Sequence, residues 1–187
     1  DKIYQEQTEK DYGKWKRELS QNVVWCFEDL QGIDCNGMTA IEGDFRYTNF
    51  KRSDLQYINM QNSILMGARF QYCNMMYADL KQTVLNYACF DYANLECACF
   101  DNASTMIENI LYGMVKVKPA FYGISFQKSN LKNASFKYAV LKYADFREAD
   151  LTNVDFTDAV LEQCLFSKQH MIQIHLSEQQ KKQIKIV

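Results

Sequence analysis

With 187 residues, 48% of them hydrophobic, the chain is long enough for a buried core and too apolar for bulk disorder. Its 21 basic and 23 acidic residues nearly cancel, which argues against a strong field for nucleic acid or an anionic membrane. One proline and seven glycines are too few for a turn-rich sandwich or barrel, and no run approaches the roughly 18 apolar residues of a membrane span.

The chain opens at Asp1 without a methionine or a signal peptide, as expected for a piece of a longer protein whose targeting information has been removed. Residues 3–20 read as a helix, with Tyr4, Thr8, Tyr12, Trp15 and Leu19 near one face. Val23 to Phe27 reads as a buried connector, so residues 1–24 are expected to form an N-terminal helical cap.

From Phe45 a large apolar residue recurs every fifth position: Phe50, Leu55, Met60, Leu65, Phe70, Met75, Leu80, Leu85, Phe90, Leu95 and Phe100. Two residues before each centre the side chain is usually small, as at Ala68, Ala78 and Ala88, and Asp or Asn often stands between, as at Asp79 and Asn94. Leu30, Cys35 and Ala40 keep the same phase. A period of five fits neither helix nor strand. It fits a chain that turns a corner every quintet.

Phe100 and Phe126 are separated by five quintets plus one residue, so the register slips. Either a loop leaves the repeat within Ser104–Gly123, or one degenerate coil continues with a single-residue bulge. The bulge is preferred, because Ile110, Val115 and Phe121 stay apolar where centres are expected. Lys116-Val117-Lys118-Pro119 is its expected place, near 116–120, since proline cannot donate to a ladder. Bulges re-aim nearby side chains, which makes Lys116, Lys118 and Tyr122 candidate contact residues.

The second run is Phe126, Leu131, Phe136, Leu141, Phe146, Leu151, Phe156, Leu161 and Phe166, with Asp145 and Asp150 in the Asp/Asn slot. Met171 and Leu176 keep its phase, which extends the repeat region over 25–176. In the remaining 177–187, Ser177 is placed to cap a short helix, Glu178–Lys185, with acid first and lysines later. The tail Ile184-Lys185-Ile186-Val187 reads as exposed and able to pair with a second copy, a homodimer through a terminal cap.

The stretches Tyr77–Lys81 (YADLK), Tyr92–Glu96 (YANLE) and Glu148–Thr152 (EADLT) resemble the A-(D/N)-(L/F)-x-x motif of the pentapeptide-repeat family. The resemblance covers about residues 43–166. It implies an all-β solenoid, a right-handed quadrilateral β-helix in which four quintets form one square coil and the centre and the small residue point inward. About seven coils with short α-helical caps at the N- and C-terminus are expected, a rod of roughly 35 Å at about 4.8 Å per rung. Residues one coil apart then share interior columns: Phe50-Phe70-Phe90, Leu55-Met75-Leu95, Met60-Leu80-Phe100 and Phe45-Leu65-Leu85. Each buried Leu or Phe contributes about 1.5–3 kcal/mol.

Outward chemistry is dominated by tyrosine two residues after the centre. Tyr72, Tyr92 and Tyr112 are expected to share one column and Tyr57 to stack on Tyr77; with Lys116, Lys118 and Tyr122 they are the candidate partner-contact surface. The plainer reading is that stacked rings stabilise the wall. Lys128, Lys132, Lys137, Lys142 and Arg147 fall on different walls, and Lys128, Glu148 and Lys168 alternate in sign down one column.

The seven cysteines are odd in number and lack CxxC spacing, which points to free thiols in a reduced, cytoplasmic setting, or to a secreted effector if the chain is a fragment. Cys73, Cys89, Cys99 and Cys164 read as packing residues. No catalytic triad, phosphate-cradling glycine loop or paired-carboxylate motif stands out, so no enzyme activity, cofactor or metal is expected.

The preferred reading is a non-catalytic scaffold for a protein partner, with no direct nucleic-acid binding and no membrane. The resemblance implies two alternatives. One is a DNA-mimicking protection protein for gyrase of the quinolone-resistance type, against which the near-balanced charge and the lack of a long C-terminal helix count. The other is the β-helical domain of a larger bacterial effector or enzyme.

Overall fold

The computed structural model describes residues 22–105 and 123–187. The helix expected over 3–20 and the residues Tyr112, Lys116, Lys118 and Tyr122 lie outside them.

Each quintet closes on itself before it meets its neighbours. The Thr48 N–H donates to Phe45 O at 3.1 Å, and Tyr47 between them has φ +59°. The same turn recurs along the chain, with φ near +60° two residues after the centre, at Tyr57, Tyr72, Tyr92 and Asn133 among others. A type II turn requires that left-handed residue, at a cost of about 1–2 kcal/mol for a non-glycine side chain. The next rung offsets it, because the same Tyr47 N–H donates to Met66 O at 2.8 Å.

Parallel bridges link rungs 20 residues apart and wind the chain through four walls. The first wall stacks Val24, Asp44, Ile64, Val84, Ser104, Val140 and Val160. The second stacks Asp29, Asn49, Arg69, Cys89, Ser125 and Asp145, and continues to Leu165. The third holds Asp34, Asp54, Asn74, Asn94, Asn130 and Asp150, and the fourth Thr39, Asn59, Asp79, Cys99, Ser135 and Asp155.

Inside, the quintet centres are fully buried. Phe50, Phe70, Phe90, Phe126, Phe146 and Phe166 form one column of near-parallel rings, with centroids 5.2, 4.7, 5.3, 5.1 and 5.0 Å apart. Phe100, Phe136 and Phe156 form a second, meeting the first edge to face as aromatic quadrupoles prefer. Leu131 and Leu151 are both 0% exposed and one rung apart. The small slot keeps its inward place, and where it is polar it satisfies a carbonyl. Ser53 Oγ donates to Leu30 O at 3.0 Å, and the thiols of Cys73 and Cys164 donate to Phe50 O and Leu141 O at 2.8 and 2.9 Å.

The register slip has a different origin from the one-residue bulge expected in a continuous coil. Cys89 pairs with Ser125, Asn94 with Asn130, Cys99 with Ser135 and Ser104 with Val140. These stacked partners lie 36 residues apart, sixteen more than the 20 that separate other rungs. Between Thr105 and Gly123 the chain therefore has sixteen residues more than the ladder uses. Sixteen is three quintets and one residue, which is why the surplus shows in the sequence only as a shift of one. New stitches cross this junction. Ser125 and Ser135 are too short to hold the turn N–H groups of Gln127 and Lys137, so Asp91 and Asp101 reach up from the rung below and accept them at 3.1 and 3.0 Å. Thr105 Oγ1 accepts the Lys142 N–H at 2.8 Å in the same way.

At the far end, β1 (Leu165–Phe166) is followed by α1 (His170–Gln173), α2 (Glu178–Gln183) and β2 (Lys185–Ile186). Met171 therefore sits on a helical turn rather than at a wall centre. The C-terminal tail, expected to be open to a second copy, pairs with its own chain: β2 lies parallel on β1, with Leu165 opposite Lys185. Ser177 caps α2 in a capping box with Gln180, and the Gln180 Nε2 donates to Phe156 O and Ala159 O at 2.7 and 2.9 Å.

His170, 0% exposed, accepts the Ser167 N–H at Nδ1 (3.2 Å), and its Nε2 lies 3.0 Å from Ala149 O. Burial lowers its pKa below the ordinary 6.5. The folded state thus binds fewer protons than the unfolded one, so stability is complete above about pH 6.5. It falls as pH drops toward the folded pKa and then levels off. Urea midpoints should decline between pH 7.5 and 5.5, and His170→Gln should flatten that decline.

Candidate functional site

The Asp/Asn slot has a local task. On the third wall the Oδ1 atoms of Asp34, Asp54, Asn130 and Asp150 accept the N–H two residues on, at 3.0, 3.2, 3.1 and 2.9 Å. Asp79 and Asp145 do the same for Lys81 and Arg147. These carboxylates hold corners. Burial opposes ionisation of Asp145, yet its hydrogen bonds with Arg147 hold its pKa below the usual range, and the Thr152 hydroxyl does so for Asp150.

On the first wall Asp44 keeps this task, accepting the Arg46 N–H at 3.2 Å, but most rungs give it up. Val24, Ile64, Val84, Val140 and Val160 have no acceptor to offer and present β-branched side chains along the wall, with Val24 66% exposed at its end. Asp44, bonded to Arg46, and Ser104 interrupt the row. The corner that follows carries Phe27, Tyr47, Gly67, Tyr87 and Tyr143, each with a positive φ, and Phe27 stacks on Tyr47 at 5.2 Å. Gly67 is required here: its φ is +69° and a Cβ would run into the Tyr47 ring. A Cβ on Gly123 would meet the Tyr143 carbonyl. Beside Gly67 opens a cleft of about 470 Å³, lined by Tyr47, Gly67, Arg69, Gln71, Tyr87 and Cys89.

The tyrosines singled out in the sequence form two separate pairs. Tyr57 stacks on Tyr77 at 5.1 Å at the corner between the third and fourth walls. Tyr72 stacks on Tyr92 at 4.8 Å between the second and third. Above Tyr92 stands Lys128 in the place expected for Tyr112, its ammonium 5.4 Å from the ring centroid. Lys128 also faces Glu148 at 3.8 Å. Sequence reasoning missed the apolar wall. Its signal was Ile64 and Val84 in the Asp/Asn slot twenty residues apart, but Val140 and Val160 fall on the same wall only once the surplus of sixteen is known.

Cys73, Cys89 and Cys164 are held as protonated thiols, which does not suit a nucleophile. Burial pushes Cys73 and Cys164 up to about 12 and Cys89 to about 11. Among the described residues no three His, Cys, Asp or Glu side chains converge to hold a metal, and no helix is long and apolar enough to cross a membrane.

Comparison with known proteins finds the family model for pentapeptide repeats in eight copies, over residues 63–104 and 123–167. No curated protein sequence matches the chain. Among solved structures, trypsin-treated QnrB1, described as a plasmid-mediated fluoroquinolone resistance protein, is 14% identical with a TM-score of 0.47, covering 90% of this chain and 91% of that one. The pentapeptide-repeat protein Rfr23 from the cyanobacterium Cyanothece is 16% identical with a TM-score of 0.34, covering 86% of this chain and 96% of that one. HetL from the cyanobacterium Nostoc, described as involved in heterocyst differentiation regulation, is 18% identical with a TM-score of 0.27, covering 84% and 94%.

Proposed function

The chain belongs to the pentapeptide-repeat family, and from the row of branched apolar residues on the first wall we propose that it is a non-catalytic scaffold that binds a protein partner. On this reading it is a right-handed rod of about seven coils, closed by caps at both ends, that docks through the first wall and the adjoining tyrosine corner. The row Ile64, Val84, Val140 and Val160 carries the reading. Valine and isoleucine there forgo the corner hydrogen bond that Asp and Asn make at other rungs and leave half-buried apolar side chains beside the exposed Tyr47, Tyr87 and Tyr143, the composition of an interface core with aromatic anchors.

Charge supports this reading over shielding of a topoisomerase by DNA mimicry. Asp44, Asp79, Asp145, Glu148, Asp155 and Glu162 each face a lysine or arginine within 2.6–3.8 Å, so much of the acidic surface is matched. A supercoiling assay with gyrase and ciprofloxacin separates the two; protection there would favour mimicry.

The scaffold reading is tested by placing photo-crosslinking benzoylphenylalanine at Val84, or at Asn74 on the opposite wall, in cells that make the protein. A discrete protein adduct is expected from Val84 alone and should disappear when Val140→Asp is added. Equal adducts from both walls, or none from Val84, would count against it.

A further inference from the structure

Six cations on the walls are matched within the chain: Arg46, Lys81, Lys128, Lys137, Lys142 and Arg147 each face a carboxylate within 2.6–3.8 Å. On the second wall and its corner, Lys51, Arg52 and Arg69 face none among the described residues. Among the described rungs Arg69 is also the one cation in the Asp/Asn slot, and it is exposed. Asn49, its neighbour below in that slot, accepts the Lys51 N–H at 3.3 Å. An arginine has no oxygen to do the same for Gln71. Arg69 therefore gives up a corner hydrogen bond and gains no ion pair. The nearest acids of the same wall do not compensate. Asp29 accepts from the Gln31 and Asn49 amides, and Asp91 from the Ser125 hydroxyl and the Gln127 N–H. Three positive charges thus stand unmatched on two adjacent rungs, with exposed Tyr47 lining the same cleft as Arg69 and exposed Tyr72 one rung above Arg52.

We infer that this patch is the charged half of the partner interface and receives carboxylates from an acidic surface of the protein partner, one of them on the planar fork of Arg69. The inference rests on the scaffold reading and gives its partner a charge. Arg69 lies two residues past the Gly67 corner, so one partner surface reaches from Ile64 on the first wall to Arg69 on the second. A nucleic-acid backbone suits the patch less well. A strand running along the wall beyond these two rungs would meet Asp29 on one side and Asp91 on the other.

The deciding variant is Arg69→Asn in the full chain. Asparagine restores the corner acceptor, as at Asn49, so the urea midpoint should rise. The adduct formed in cells from benzoylphenylalanine at Val84 should nevertheless fall about tenfold, a scale on which charges at an interface alter association. Arg69→Lys keeps the charge without the fork and should fall between, and Lys132→Glu on the third wall should leave the adduct unchanged. The sign of the occupant is read on the full chain labelled with nitrogen-15, titrated with acetyl-hexaglutamate amide and, separately, with a short DNA duplex. Hexaglutamate should give saturable shifts at the Lys51, Arg52 and Arg69 amides that vanish at high salt and in the double variant Lys51→Glu, Arg69→Glu. Shifts that fail to saturate, that survive in the double variant, or that the duplex produces at lower concentration would overturn the assignment. Val84 adducts undiminished by Arg69→Asn would sink the patch alone. Hexaglutamate binding with no Val84 adduct from the otherwise unaltered chain would sink the scaffold reading and leave the patch as a carboxylate site.

Discussion

Replacing Phe126 with alanine is expected to destabilise the rod by about 3–5 kcal/mol, the range for emptying a fully enclosed aromatic site. Phe126 stacks on Phe90 below and Phe146 above, at 5.3 and 5.1 Å, and meets the edges of Phe100 and Phe136 at 5.5 Å each. The cavity cannot close easily. The backbone around it is tied to both neighbouring rungs, with Phe90 N–H donating to Ser125 O and Phe126 N–H to Asp145 O. Phe126 is also the first centre after the sixteen surplus residues, so it joins two halves of a solenoid whose stability is a sum over neighbouring rungs. Urea unfolding of Phe126→Ala should therefore separate into two steps, whereas Phe126→Leu should lose less than about 1.5 kcal/mol and stay cooperative. A loss below about 1 kcal/mol for the alanine variant would mean that the Phe column does not join the halves.

Gln180→Ala should cost about 1–3 kcal/mol through a different route. Gln180 is 8% exposed, and its side-chain amide supplies donors to two carbonyls on the last rung while its backbone N–H donates to the Ser177 hydroxyl. Removing the side chain orphans Phe156 O and Ala159 O and undoes the capping box at once. The terminal segment that carries β2 should then exchange its amides faster, uncovering the wall end at Leu165 and Phe166, and an open β-helix end invites aggregation. Hydrogen exchange should show this loss confined to residues past Leu161, with the Phe50–Phe90 rungs unchanged. A uniform loss of protection along the rod would contradict a local closing role.

The interior was legible in the sequence because one physical rule repeats there. A narrow bore admits one large residue per wall only beside a small one, so Phe, Leu and Ala alternate in a phase that needs no three-dimensional knowledge. The columns Phe50-Phe70-Phe90 and Leu55-Met75-Leu95 follow from counting. Outward positions obey no such rule, and two features there escaped. A surplus of sixteen residues looks like a slip of one when only the remainder after division by five is visible, so Lys128 took the place assigned to Tyr112. Half of the apolar wall was hidden for the same reason: Ile64, Val84 and Ser104 follow from counting by twenty, but Val140 joins Ser104 only across the surplus. The C-terminal tail adds a pairing that the sequence did not reveal: Ile186 is half exposed, as its apolar, uncapped stretch suggests, and its backbone pairs with Phe166 of its own chain.

The stacking of rungs across the surplus residues decides which side chains share a wall, and with it the apolar face and the tyrosine corner. Aromatic-proton nuclear Overhauser contacts read it directly. The account predicts strong contacts between the rings of Phe90 and Phe126, whose centroids lie 5.3 Å apart. Contacts from Phe90 to Ile110 in place of Phe126 would show a coil continuing through that stretch, and would dissolve the wall on which the proposed function stands.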